Sequence, residues 1–182
     1  MQFGSGAMML ACFCRTTRVN DAGRQHYWTE YESMGDPPRR EEFPEDAFPL
    51  QAVTGTIIAS AFSVFRKFGY GFLEPVYRRA LAAELRHRGV RVDQEVHFEL
   101  YHHSEPVGSY RADLIVDARV IVETKTGAGL DPNAPIQLLN YLCAARLSLG
   151  LVVHFGPNGA RVKRVVASDS RTFQAARDGP KK

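Results

Sequence analysis

The stretch Tyr110-Arg-Ala-Asp-Leu-Ile-Val-Asp-Ala-Arg-Val-Ile-Val-Glu-Thr-Lys125 decides the fold of this chain. It predicts two strands, 110–116 and 120–126, joined by a tight turn at 117–119. Apart from a few charged residues, both strands are apolar on both faces. Strands of this kind are typical of a sheet that is covered by helices on both sides. The stretch therefore predicts the centre of an α/β domain.

Two carboxylates interrupt this apolar hairpin. A turn that is symmetric about Ala118 pairs Val116 with Val120. The same register pairs Asp113 with Glu123, and their β-carbons are then expected to lie about 5 Å apart on one face. Carboxylates held together in a covered sheet repel each other, and burial raises the cost. A divalent cation between them removes the conflict, because Mg²⁺ prefers oxygen ligands.

Lys125 lies two residues after Glu123 and is expected to point to the same face, with Arg111 as its cross-strand neighbour. One interpretation is a metal site in which Asp113 and Glu123 hold Mg²⁺ or Mn²⁺. Lys125 then holds a water molecule or stabilises charge on a phosphate. The alternative is a solvated end of the sheet, at which Asp113 pairs with Arg111. The residues alone leave both interpretations open.

Hydrophobic spacing predicts the elements on either side of the hairpin. The expected order is helix, helix, three strands, helix, two strands. The predicted segments are helices at 50–67 and 73–88, a strand at 90–101, a loop at 102–109, the two hairpin strands, a helix that opens at 131–135, and strands at 150–155 and 161–167. The predicted apolar faces are Leu73, Val76, Tyr77, Ala80, Leu81 and Leu85 on the second helix, Val92, Val96, Phe98 and Leu100 on the first strand, and Ile136, Leu139, Leu142 and Cys143 on the third helix.

The two ends of the chain differ from this middle part. Residues 35–49 are rich in proline and charge, so 1–48 are expected to form a disordered extension, and 169–182 a flexible tail. One interpretation is that translation starts at Met34, so that the first 33 residues result from the choice of start codon. The folded domain is expected at 49–168, which is long enough to bury a core.

Composition excludes some classes of protein. The 182 residues are 45% hydrophobic and carry a net charge of +3, which permits nucleic-acid binding without arguing for it. No run of eighteen apolar residues is present, so we expect no membrane span. The three cysteines form neither a zinc-site pattern nor a disulfide framework. A reducing, cytoplasmic setting is therefore expected.

Two motifs resemble a known family. Asp113 followed by Glu123-Thr124-Lys125 resembles the PD-(D/E)XK nuclease pattern. The upstream Gly71-Phe72-Leu73-Glu74-Pro75-Val76-Tyr77 matches the signature of the GxxExxY group in that superfamily, and 109–114 and 137–142 are also similar to that group. The resemblance covers about residues 48–166. It implies an α/β restriction-endonuclease-like core, in which a mixed central sheet of about four strands is flanked by helices.

The resemblance also implies roles for single residues. Asp113, Glu123 and Glu74 would bind the metal, Lys125 would assist catalysis, and Gln137 would complete the site. Glu74 has an alternative role at the start of a helix, since it precedes a proline. Gln137 is four residues from Tyr141, and the alternative is that the two bond to each other.

Other polar side chains are better explained by structure than by chemistry. Tyr77 falls on the apolar stripe of its helix and is expected in the core. His102 and His103 are expected to be exposed in a loop. His154 alternates within an apolar strand and is expected to be a satisfied core residue.

The predicted function is a metal-dependent nuclease that acts on DNA rather than RNA. Arg111, Arg78 and Arg79 are weak candidates for phosphate contacts, although a basic helix face is more simply a solvated surface. The alternatives are a binding module without catalysis, for nucleic acid or a protein, and a small-molecule hydrolase. A domain of about 120 residues leaves little room for its own target recognition, so a homodimer or a protein partner is a further prediction.

Overall fold

The computed structural model describes residues 14–21, 24–32 and 50–167. Three helices and seven strands follow one another along these segments. In chain order they are β1 Cys14–Asp21, β2 Arg24–Glu32, α1 Gln51–Phe68, α2 Glu74–His87, β3 Val92–His102, β4 Glu105–Val116, β5 Val120–Thr126, α3 Ala134–Ala145, β6 Leu149–Gly156 and β7 Gly159–Val166. From residue 50 onward the order is helix, helix, three strands, helix, two strands, as the sequence predicts.

All seven strands form one mixed sheet, in the order β1-β2-β7-β6-β5-β4-β3. Only β5 and β6 pair in parallel, and α3 connects them. Helices α1 and α2 pack on one face of the sheet and α3 on the other, so each face has its own apolar cluster. Strand β6 is buried along its whole length, as its continuous apolar sequence predicts. In the part of the chain that the structure describes, no helix is long and apolar enough to cross a membrane.

The prediction of a loop at 102–109 is wrong. Strands β3 and β4 form a long hairpin, with His102 opposite Glu105. His103 and Ser104 make the turn with φ values of 47° and 67°. Turns of this type usually use asparagine or glycine, because the left-handed backbone favours those residues. The two residues that form the turn therefore gave no signal for it in the sequence.

Two predicted helix faces need correction. Helix α3 buries Leu138 and Tyr141, whereas Ile136 is exposed. The helix is apolar on more than one side, so spacing alone did not select the face that meets the sheet. On α2 the buried side contains Tyr77, Leu81 and Leu85 as predicted, but Leu73 and Val76 are exposed.

Strands β3 and β4 each change face at one residue. Val92 packs with the α1 and α2 cluster, whereas Val96 packs with the α3 cluster. In β4, Leu114 and Ala112 are divided between the clusters in the same way. Strict alternation places each of these pairs on one face, so the prediction of a single face for β3 is wrong. The change coincides with a left-handed backbone at Glu95, whose φ is 52°.

The N-terminal strands lie in the segment for which the sequence predicts disorder. Strand β1 pairs with β2, and β2 pairs with β7, so the two extend the sheet beyond the five strands of the 50–167 segment. Together they contain three threonines, two tyrosines and a tryptophan, which favour strands. Residues 1–13, 33–49 and 168–182 lie outside the described residues, and with them the predicted linker, the possible start at Met34 and the C-terminal tail.

Candidate active site

The candidate site lies where β4 and β5 separate. The predicted register is confirmed for Val116 with Val120, and the ladder continues to Leu114 and Val122. The ladder then ends, so the cross-strand pair of Asp113 and Glu123 that the sequence predicts is not formed. The two carboxylates lie just beyond the last pair, Asp113 on β4 and Glu123 on β5, towards the carboxyl-terminal end of β5. In open α/β sheets this is the end at which ligands bind.

Asp113 is buried and engaged by three donors. Its Oδ2 accepts hydrogen bonds from the backbone N–H of Thr124, at 2.8 Å, and from the Thr124 hydroxyl, at 2.5 Å. Its Oδ1 accepts a hydrogen bond from the Arg78 guanidinium on α2, at 3.1 Å. Thr124 therefore fixes the carboxylate through the strand on which Glu123 lies. The alternative partner, Arg111, is not the residue that neutralises Asp113.

Arg78 is buried, so the prediction of a solvated basic face is wrong at this position. Besides Asp113 it binds Glu95, with 3.0 Å between Nη2 and Oε1. Glu95 also pairs with the half-exposed Arg111, at 3.3 Å. No sequence pattern indicates this network of ion pairs, because Glu95 lies on another strand and Arg78 is 35 residues from Asp113. Arg79, the next residue on α2, is exposed.

Glu123 is buried close to a second acid, Asp113. Burial, followed by the nearby charge of Asp113, raises its pKa from the usual 4.5 to about 7, although Lys125 opposes the shift. Its Oε1 accepts a hydrogen bond from Lys125 Nζ at 2.9 Å. Its Oε2 is buried and has no hydrogen-bond partner. An ionised carboxylate in such a position lacks a compensating positive group on one side.

Lys125 remains a cation in this setting. Burial lowers the pKa of Lys125, but the hydrogen bond and charge of Glu123, with the charges of Glu74 and Asp113, outweigh burial and leave the pKa above its usual value. A protonated lysine donates hydrogen bonds and stabilises negative charge, and it is not a base. The geometry therefore suits Lys125 to a phosphate or to a developing oxyanion.

The raised pKa of Glu123 predicts a pH dependence of stability. A carboxyl group with a raised pKa binds its proton more tightly in the folded state, so it destabilises the fold as pH rises from 4.5 through about 7. This rise corresponds to about 3 kcal/mol. Urea unfolding in EDTA should show the free energy of unfolding falling by about that much more between pH 5 and pH 8 in the wild type than in Glu123→Gln. Parallel curves for the two proteins would contradict the assignment.

Glu74 begins α2 and adds a third acid to the site. Glu74 is the first residue of the helix, as its alternative role predicts, and its role as a metal ligand stays a prediction. Burial is the largest cause of its raised pKa, Lys125 and Arg78 lower that pKa, and Asp113 raises it. Glu74 is therefore close enough to share an electrostatic field with Asp113 and Lys125.

The other two signature residues hold the loop before α2. Gly71 has a φ of 120°, which favours glycine over any other residue. Tyr77 is fully buried, as predicted for a core residue, and its ring stacks on Phe155 at 4.4 Å. Its hydroxyl donates to the carbonyl of Gly69 at 2.6 Å and accepts from the N–H of Phe72 at 3.4 Å. Gly71 and Tyr77 thus fix the backbone of the loop that leads to Glu74.

The remaining candidates divide between the site and the scaffold. Gln137 Nε2 donates to the Tyr141 hydroxyl at 3.1 Å, which confirms the predicted alternative. Burial and the charge of Glu123 raise the pKa of Tyr141, so this pair borders the site. His154 is buried, and its Nε2 lies 3.1 Å from the Gly127 carbonyl oxygen. His102 and His103 are exposed in the β3–β4 hairpin.

The chemistry of the donor set fits a hard divalent cation. An ionised carboxylate offers about four acceptor positions. Asp113 uses three of them, and Glu123 has one oxygen without a partner. Among residues 50–167, however, no three His, Cys, Asp or Glu side chains are arranged as a ready set of metal ligands. The set of Glu74, Asp113 and Glu123 therefore stays a prediction.

A comparison with protein families supports the fold. A family model for the PD-(D/E)XK nuclease superfamily matches residues 51–165. No curated protein matches the chain. Among solved structures, the crystal structure of SSO0001 is similar, with a TM-score of 0.44 and 18% identity over 58% of this chain and 56% of that one. The matched segment contains all five candidate residues: Glu74, Asp113, Glu123, Lys125 and Gln137.

Proposed function

The chain belongs to the PD-(D/E)XK nuclease superfamily, and from this premise we propose that it is a metal-dependent nuclease that hydrolyses phosphodiester bonds. The observation that carries the proposal is the buried pair of Asp113 and Glu123 beside the cation of Lys125. A cation bound by both carboxylates would remove the repulsion that raises the pKa of Glu123. Membership of the GxxExxY group remains a finer prediction, supported by the roles of Gly71, Glu74 and Tyr77.

Each side chain would have a separate role in such a reaction. When bound, Mg²⁺ or Mn²⁺ supplies charge neutralisation and lowers the pKa of water. Asp113 and Glu123 would hold the ion, and Glu74 would be a further oxygen ligand. Thr124 and Arg78 fix the orientation of Asp113, so they are positioning residues. Lys125 would present its positive charge to an attacking water or to a phosphate oxygen.

DNA is the proposed substrate and RNA the alternative, because both contain the phosphodiester bond that this chemistry cleaves. We expect the purified full-length chain to cleave labelled DNA in Mg²⁺ or Mn²⁺ and to be inactive in EDTA. Single-stranded, duplex and branched DNA, with RNA alongside, would identify the preferred substrate. Activity should return when the metal is added in excess of EDTA. Cleavage that persists in EDTA would rule out the metal-dependent mechanism.

A binding module without catalysis is the second candidate. It is favoured by one observation: Arg78 and Thr124 already engage Asp113, so most of the acceptor positions of this carboxylate are occupied. Such a module should bind nucleic acid or a protein partner equally well after replacement of Glu123. A homodimer or protein partner, proposed because the domain is small, would be detected as a mass in solution above that of one chain, 20.3 kDa.

A further inference from the structure

An exposed apolar surface lies directly before Glu74. Among residues 50–167, six large apolar side chains are exposed, and four of them fall within residues 70–76. We call these four the aromatic platform. Its members are Tyr70, Phe72, Leu73 and Val76, which are between 36% and 76% exposed. Scattered exposed apolar residues are ordinary, but a contiguous group marks a site of interaction.

The Phe72 ring and the backbone around it are held in place although the ring is half-exposed. The Phe72 ring meets the rings of Phe68 and Tyr77 edge to face, with centroids 5.9 and 6.2 Å away. The backbone N–H of Phe72 is bound by the Tyr77 hydroxyl, and Gly69 N–H donates to the carbonyl of Phe65 at 2.7 Å. A side chain that is held in place before binding loses little conformational entropy when a ligand arrives.

Cations border the platform. Lys67 is exposed, and its Nζ lies 5.7 Å from the centroid of the Phe68 ring, which in turn contacts Phe72. Arg79 follows Val76 by three residues on α2, so the two are neighbours on the exposed side of that helix. Aromatic rings flanked by cations suit a ligand that combines flat apolar groups with negative charge. Single-stranded nucleic acid has this combination, since its bases stack on rings and its phosphates attract lysine and arginine.

We propose that Tyr70 and Phe72 stack against unpaired bases, so that the protein takes single-stranded or locally unpaired nucleic acid beside Glu74. Glu74 follows Leu73 directly in the chain and interacts with Asp113 and Lys125. A base held on the platform would therefore place its neighbouring phosphate at the candidate site. In a regular duplex the faces of the bases are covered by stacking and give these rings no partner. The proposal names a substrate class and rests on the proposed nuclease function.

The test measures binding in EDTA, so that it does not depend on cleavage. Full-length protein is titrated with a single-stranded oligonucleotide and with the matching duplex, for the wild type, Tyr70→Ala and Phe72→Leu. Leucine keeps apolar contacts with Phe68 and Tyr77, and thermal unfolding checks that each variant is folded. Val107→Ala is the matched control, because Val107 is an exposed apolar residue of the β3–β4 hairpin.

Each platform variant should weaken single-strand binding at least about fivefold and leave duplex binding within about twofold. An oligonucleotide that contains 2-aminopurine should lose fluorescence on binding to the wild type, since stacking quenches that base, and less on binding to the variants. Unchanged affinities would overturn the proposal and leave the platform as a protein-docking face. Equal losses for single strand and duplex would also overturn it.

The two proposals fail separately. If platform-dependent binding in EDTA is found without cleavage in Mg²⁺ or Mn²⁺, the nuclease function fails and the binding site stands. If cleavage is metal-dependent and single-strand binding is the same in Tyr70→Ala and Phe72→Leu as in the wild type, the nuclease function stands and the platform proposal fails.

Discussion

Replacing Glu123 by glutamine should lower the rate of DNA cleavage by about a thousandfold or more. Glutamine has nearly the same shape, and its oxygen can still accept the hydrogen bond from Lys125. The substitution removes the negative charge by which Glu123 would hold the metal. Asp113 is then the only carboxylate left in the pair. The measurement is the initial rate on the best substrate, at saturating Mg²⁺ or Mn²⁺. Glu105→Gln makes the same change at an exposed position of the β3–β4 hairpin and should retain wild-type activity.

Stability separates loss of chemistry from loss of structure in this experiment. Because Glu123 is buried beside Asp113 with a raised pKa, Glu123→Gln should unfold at no lower urea concentration than the wild type above pH 7. An inactive and stable Glu123→Gln protein would show that the carboxylate acts in the reaction. If Glu123→Gln kept more than about a tenth of the wild-type rate, equivalent to about 1.4 kcal/mol of barrier, the role in metal binding would be wrong.

Replacing Arg78 by alanine should lower the free energy of unfolding by about 3–5 kcal/mol. The reason is that Asp113 would remain buried without the guanidinium that neutralises it. Such a loss is a large part of the stability of a domain of this size. Urea unfolding at pH 7 measures it. Arg79→Ala removes the neighbouring, exposed arginine of the same helix and should change stability by no more than about 0.5 kcal/mol.

The double variant Arg78→Met with Asp113→Leu separates the cost of a lone charge from the value of the pair. Replacing both members of a buried ion pair by apolar residues is often close to neutral. The double variant should therefore be more stable than Arg78→Ala. If Arg78→Ala lowered the free energy of unfolding by less than about 1 kcal/mol, other groups would be stabilising the buried charge of Asp113 and the ion pair with Arg78 would not be the main one.

The order of elements was predictable because each element has a strong local pattern. Strand β5 was predicted at its observed bounds, since Val120–Thr126 is a compact apolar run that follows a turn. The turn at His103 and Ser104 was not predictable, because neither residue is typical of a left-handed backbone. The orientation of α3 was also missed, since apolar residues on several of its sides make more than one face suitable for burial.

The acids of the site were predictable, but their partners were not. Asp113, Glu123 and Lys125 stand out because charge interrupts an apolar hairpin. Thr124 could have been suspected, since its hydroxyl lies between Glu123 and Lys125 in the motif. Arg78 and Glu95 carry no such signal: their contacts join distant parts of the chain and depend on the left-handed backbone at Glu95. Periodicity assumes regular strands, and it fails where a strand changes face.

The break in β3 at Glu95 also bears on how the protein behaves at high concentration. Strand β3 forms one edge of the sheet, and within the described residues nothing pairs with its outer side. A long and regular edge is a template for a strand of another molecule. Here the backbone turns left-handed at Glu95, and ion pairs with Arg78 and Arg111 hold Glu95 in place. Two such interrupted edges do not align along their length, so the residue that anchors Arg78 also works against edge-to-edge aggregation.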